Sequence, residues 1–325
     1  TSYGRDDSNH QVPNAMGSKM GGSTTNLSHS ISGASAKMDG NASKQKRIAD
    51  AAVYAKRADA SMLSFDFLAA AEDYRKAFEL IERWDDTLRW NYKNLEAEAL
   101  GAHGDATGSV EALQQALAAY DQILAFLPAG DRSRDWALTR NNQAVVLQTI
   151  GERQVAPATL ESALVAFTEA LDVFVAAKDD INASAAHNNI GNVLLTLGKR
   201  ESGTGRLTAA VEAFRKTLEL RDRTKVPALW ADTQNNLGIA LFTLGEREAE
   251  STTLRQAETA YRAALEVQTR AARPVAWAMT MNNLGNTLVT LANNSNNPAL
   301  SKEAVAVFTE AMTVRSREQF PLDCA

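Results

Sequence analysis

Apolar positions recur at helical spacing through residues 44–317, and the pattern itself repeats. In the clearest copy, Leu237, Leu241 and Leu244 fall on one helical face, with Gly238 and Ala240 between them. Gly245 follows, where a glycine is expected to stop the helix. Residues 246–253 are polar, and Leu254, Ala257, Tyr261, Ala264 and Leu265 then form a second apolar stripe. An Asn-Asn pair fixes the register of the first helix: Asn141-Asn142, Asn188-Asn189, Asn235-Asn236 and Asn282-Asn283, each 47 residues after the last. A constant period of this length predicts stacked helical hairpins.

The second helix keeps the same register. Small and aromatic residues recur as Ala163/Phe167/Ala170, Ala210/Phe214/Thr217, Ala257/Tyr261/Ala264 and Ala304/Phe308/Ala311, and one period earlier as Ala116/Tyr120/Ile123. Small residues let two helix backbones approach, and the aromatic ring is expected to fill the gap between neighbouring pairs.

These residues resemble the tetratricopeptide repeat (TPR) family. The resemblance is carried by Leu237-Gly238 and Leu241 on the first helix and by Ala257, Tyr261 and Ala264 on the second. An ordinary TPR spans about 34 residues. Here the excess is expected to fall partly between the helices and partly after the second one. The asparagine-rich first helix, with Pro274-Val275-Ala276 ahead of the last copy, looks like the variant repeats of kinesin light chains and their bacterial relatives. The resemblance implies an all-α, right-handed TPR-like α-solenoid of about six helix pairs. It also implies an inner wall whose asparagines meet a peptide backbone.

The chain divides accordingly. Residues 1–43 are rich in Gly, Ser and Asn and are expected to form an extended or disordered low-complexity tail, pinned against a partner if ordered. Residues 44–130 hold two divergent units. The first helix is expected from 44 to about 64 with Ser43 as its cap, followed by a second over 67–80. Two more are expected over 84–100 and 109–127, joined by a glycine-containing loop at 101–108. Four regular units fill 131–317, and 318–325 is a short tail. Trp136, Trp230 and Trp277 share one register and are expected to pack between repeats. In the last unit Val307, Phe308, Met312 and Val314 leave an apolar end suited to self-association or to coverage by the tail.

Composition narrows the function classes. Net charge is −5 and the pI is near 5.5, which argues against a nucleic-acid footprint. No apolar run approaches a membrane span. The single cysteine, Cys324, excludes an internal disulfide and fits a reducing compartment, cytoplasmic by expectation, with an organelle or periplasm left open. His10, His29, His103 and His187 lack metal-ligand spacing. Gly198-Lys199-Arg200 lacks the spacing of a phosphate loop, and the Lys44–Arg47 cluster reads as a helix start. No catalytic residue, metal or cofactor is therefore expected.

What remains is an interaction surface. A carboxamide both donates and accepts, so in-register asparagines can pair with a peptide backbone whatever its side chains. The expected groove comprises Asn141, Asn142, Asn188, Asn189, Asn192, Asp232, Asn235, Asn236, Asn282, Asn283 and Asn286, polar and short of Lys or Arg. One asparagine of each pair should face the groove and the other a helix contact. Thr139, Gln148, Ala185, Thr196, Ile239, Thr243 and Thr290 are expected on the same face, and the charged corners after Gly151, Gly198 and Gly245 read as solvated helix stops. The leading expectation is a non-catalytic scaffold or adaptor for a protein or peptide partner. The alternatives are a structural or linker subunit of a large assembly and a TPR sensor domain of a longer signalling protein.

Overall fold

The computed structural model describes residues 27–81, 84–127 and 132–314, and the side chains from residue 42 onward. Among these residues the structure is helix and connecting turns. The twelve helices are α1 Leu27–Leu63, α2 Phe67–Ile81, α3 Asp86–Thr107, α4 Val110–Phe126, α5 Arg134–Arg153, α6 Ala158–Ala176, α7 Asp180–Arg200, α8 Gly205–Leu220, α9 Pro227–Glu248, α10 Ser251–Leu265, α11 Pro274–Ser295 and α12 Pro298–Met312. Each helix packs mainly on its chain neighbours, α1 on α2, α2 on α3 and so on to α12, which is the contact pattern of a solenoid.

Local chemistry sets the helix starts. Asp85, Ser109, Ser133 and Asp179 accept a backbone N–H of the first turn of α3, α4, α5 and α7. Pro227, Pro274 and Pro298 open α9, α11 and α12, where a missing N–H costs no helical bond.

Within each hairpin the second-helix aromatic presses on a small residue of the first helix. Tyr74, Tyr120, Phe167, Phe214 and Tyr261 are buried. A methyl group on Gly191, Gly238 or Gly285 would lie within 2.6 Å of the ring of Phe214, Tyr261 or Phe308. The small side chains at these positions therefore fix how closely the two helices approach.

Four expectations are corrected. First, Gly151, Gly198 and Gly245 do not stop their helices. Each lies inside its helix and is buried, because the next helix brings Leu160, Leu207 or Leu254 to 2.7–2.9 Å of where a Cβ would stand. Second, the period is lengthened by longer first helices rather than by an inter-helix loop. Only Ala249 and Glu250 separate α9 from α10, with Ala249 in the left-handed region at φ 53°. Third, residues 101–107 continue α3, and only Gly108, at φ 77°, breaks it. Gly104 is again a packing glycine, under Leu113.

Fourth, α1 starts at Leu27, so Ser43 sits inside the helix and does not cap it. Elongating a nucleated helix needs only one hydrogen bond per added residue. Gly33 and Gly40 cost about 1 kcal/mol each and do not stop it. Of the tail expected over 1–43, residues 27–43 are helical, and 1–26, like the short tail at 318–325, lie outside the described residues.

The hairpins stack with an asymmetric seam. The first helices α3, α5, α7, α9 and α11 pack on one another in sequence, while the second helices do not meet to a comparable extent. The bridging side chains at mid-helix show the same asymmetry. Asn142 Nδ2 reaches Glu98 Oε1 (3.2 Å) and Asn236 Nδ2 reaches Asn192 Oδ1 (3.3 Å) across first helices. Across second helices, long arginines do the spanning: Arg206 to Glu161, Arg215 to Gln256 and Arg262 to Glu303. First helices therefore form the inner wall of the curve and second helices the outer wall.

Candidate interaction surface on the inner wall

A helix advances about 100° per residue, so the exposed face of each first helix can be placed by register. In α5, Ala144 is buried toward Phe167 of its own hairpin, and Thr139 and Gln143 are buried toward the preceding one. The open arc is centred on Val145, with Leu138, Asn141, Asn142 and Thr149 beside it. The same positions in the later copies form the inner wall.

One stripe of that wall is uniform. Thr149, Thr196, Thr243 and Thr290 each donate to the carbonyl four residues back, at 2.9–3.2 Å. Their hydroxyl lone pairs and methyl groups are what the wall presents. Sequence reading placed Thr139 and Gln148 here in α5. Thr139 is instead fully buried and accepts from Trp90 Nε1 at 3.0 Å, and Gln148 donates to Glu152.

The asparagines divide into two groups. Some hold the solenoid together. Asn142 and Asn236 make the cross-helix bonds described above. Asn283 Nδ2 donates to Asn235 Oδ1 (3.1 Å), and Asn141 Nδ2 lies 3.4 Å from Asn142 Oδ1. The Asn141 Oδ1 atom is buried without a partner. Asp232 accepts from Arg273 (2.7 and 3.1 Å) and from Gln268 Nε2 (2.9 Å), so it ties α9 to the entry of α11. By contrast, Asn188, Asn189, Asn282 and Asn286 make no hydrogen bond to another described residue; the first three are half-buried and Asn286 is exposed. Asn192 uses only its oxygen, toward Asn236, and keeps its amino group open.

Two features escaped sequence reading. Asn94 is a fifth rung, one period before Asn141, hidden because Leu95 breaks the Asn-Asn doublet. It is 4% exposed, donates to the Trp90 carbonyl at 3.0 Å, and keeps Oδ1 unpaired. The corner arginines are the second. Arg153, Arg200 and Arg247 reach back one unit to carbonyls at the end of the preceding first helix. Arg153 donates to Gly104 (3.0 Å) and Asp105 (3.1 Å), Arg200 to Gly151 (3.2 Å), Gln154 (2.8 Å) and Glu152 (3.0 Å), and Arg247 to Gly198 and Gly203 (2.7 Å each). They satisfy helix-end carbonyls and meet the negative end of the helix dipole, and Arg153 adds an exposed ion pair to the Asp105 carboxylate at 3.2 Å. Their even spacing of 47 was the available signal.

Trp136 is half-buried beside Ala170, Phe174 and Ala183, and Trp277 is buried beside Ala311 and Val314, so both pack between elements. Charge on the inner wall is sparse. Lys199 reaches water, but the surrounding wall lowers its pKa by desolvation, and burial raises that of Glu246. Away from this wall, a cavity of about 460 Å³ lies between α2, α3 and α4 above the buried Lys93–Glu96 ion pair (2.8 Å). Among the described residues no cluster of metal-ligating side chains occurs, and no helix is long and apolar enough to cross a membrane.

No family model and no curated protein matches the sequence. Solved structures do match by fold. A Podospora anserina protein assigned as a kinesin light chain with nearly identical TPR-like repeats aligns at TM-score 0.51 and 12% identity, covering 71% of this chain and 97% of its own. BtubC (BKLC) from P. vanneervenii aligns at TM-score 0.46 and 14% identity, covering 83% and 92%. The repeat register, the aromatic-on-small hairpin core and the first structural match agree: by fold the chain is a TPR-like repeat protein.

Proposed function

We propose that the chain is a non-catalytic protein-interaction scaffold whose inner wall takes an extended peptide segment. The carrying observation is the set of open carboxamides at Asn188, Asn189, Asn282 and Asn286, on the same wall where their in-register counterparts are hydrogen-bonded within the protein. A buried or half-buried amide without a partner favours any ligand that completes it, and a peptide backbone supplies both donors and acceptors. Asn142, Asn235, Asn236, Asn283 and Asp232 support this role by fixing the curve of the wall. The scarcity of lysine and arginine there selects a segment that is not strongly acidic.

The test is selection of a displayed random peptide library on the wild-type protein, followed by affinity measurement with the N188A/N189A/N282A variant. Affinity for the selected peptides should fall at least about tenfold while helix content stays constant. Unchanged affinity would falsify the groove reading.

A second reading, a building block of a larger assembly, is favoured by the last hairpin, where Val305 is 65% and Met312 is 72% exposed. Sedimentation of the V305S/M312S variant against wild type tests it, with loss of association as the expected result.

A further inference from the structure

At the centre of the inner wall one register reads Glu98, Val145, Asn192, Ile239, Asn286. Polar and apolar residues alternate from one unit to the next, so the 47-residue repeat carries a second period of two units. The alternation has structural consequences. Where the residue is polar, the next helix bonds to it: Asn142 to Glu98 and Asn236 to Asn192. Where it is apolar, the asparagine facing it does something else. Asn189, opposite Val145, stays open, and Asn283, opposite Ile239, turns to Asn235. Val145 and Ile239 are half-buried, their inner sides against the core and their remaining surface on the wall.

We infer that the peptide accepted by this wall carries two aliphatic side chains six residues apart, with an uncharged stretch between them. The inference rests on the groove reading above and adds what the ligand looks like. Neighbouring helices pack about 8–10 Å apart, so Val145 and Ile239, two first helices apart, are separated by about 16–20 Å. An extended chain advances about 3.3 Å per residue, which spans that distance in about five or six residues. Strand side chains alternate between faces, so two that point at the same wall are an even number apart, and the separation is six. Midway lies α7, with Asn192 at the centre and the open Asn188 and Asn189 beside it. That is where the ligand's own backbone amides are met. The uniform threonine stripe contributes equally at every unit and sets no spacing.

The test uses synthetic twelve-residue peptides in a Ser/Thr/Gly host, with two leucines separated by three, five, six or eight positions. Fluorescence anisotropy against the full chain should show the six-residue spacing binding about fivefold to tenfold tighter than the others, the effect of withdrawing one partly buried leucine. The preference should disappear in V145T/I239T, which puts hydroxyl-bearing side chains in place of aliphatic ones and whose helix content is checked by circular dichroism. Binding that is lost in N188A/N189A yet indifferent to leucine spacing would overturn this inference and leave the groove reading standing. Binding indifferent to the asparagine variant, or absent for every peptide, would overturn both.

Discussion

Arg221 Nη1 donates to Thr233 Oγ1 at 2.7 Å, at the place where Phe174 meets Ala186 one unit earlier. One unit later the pair is Gln268 and Thr280, again 2.7 Å apart. In these three units the residue near the end of the second helix and the residue it meets on the next first helix therefore change together: Phe174 with Ala186, and Arg221 or Gln268 with a threonine. Thr233→Ala should cost about 1–3 kcal/mol, because it strands a desolvated guanidinium donor. The double change R221F/T233A copies the earlier unit and should recover most of that loss. Chemical denaturation of the three proteins measures it, and a double variant no more stable than T233A would refute the pairing.

The packing glycines make a sharper forecast. Gly238→Ala pushes a methyl group into the Tyr261 ring and should destabilise by about 1–3 kcal/mol, although alanine is the better helix former. Gly203→Ala has open space around it and should change stability by no more than about 0.5 kcal/mol. Thermal unfolding compares them directly, and equal effects would contradict the close approach described.

Arg200 and Arg262 are both inter-repeat arginines with different partners. Arg200 holds three backbone carbonyls, whereas Arg262 bridges to the carboxylates of Glu258 and Glu303 in an exposed setting. Arg200→Met should cost about 1–3 kcal/mol and increase hydrogen exchange in the last turn of α5. Arg262→Met should cost under about 1 kcal/mol and matter less as salt rises.

Two groups set the expected pH response. Burial, helped by Lys216, holds the His187 pKa below its ordinary value of 6.5, against a smaller opposing pull from Glu219. The unfolded chain then binds the proton more readily, so stability should fall as pH drops through about 6.5. His187→Gln, which copies Gln234 one unit on, should flatten the profile between pH 7 and 5. At lower pH the Arg57 hydrogen bond keeps Asp73 below its ordinary carboxylate value. That contribution is complete above about pH 4 and is lost as pH falls further. Asp73→Asn should remove this acid limb, read from denaturation midpoints across pH.

The repeat was legible because Asn-Asn and the aromatic register are sequence-local marks of a helical face. The glycines were legible as special but not as packing residues. A stop glycine and a close-approach glycine look alike until the helix that presses on them is placed, as Leu254 is on Gly245. The reach of Arg200 to the end of α5 crosses 48 residues, and nothing local to either site announces it. Which asparagines are open and which are tied could not be read from identical doublets. Their difference lies in what stands opposite: Val145 before Asn189, and Asn192 before Asn236.

The unequal seams also set how the protein deforms. On the inner wall neighbouring units are joined by asparagine carboxamides at mid-helix and by Arg153, Arg200 and Arg247 held on backbone carbonyls at the helix ends, and on the outer wall by guanidinium groups reaching mobile side chains. A change of curvature is absorbed where the helices do not pack on one another, so the array behaves as a leaf spring with a stiff inner skin. Elastic stretching spreads the outer helices first and leaves the spacing of the inner rungs nearly constant.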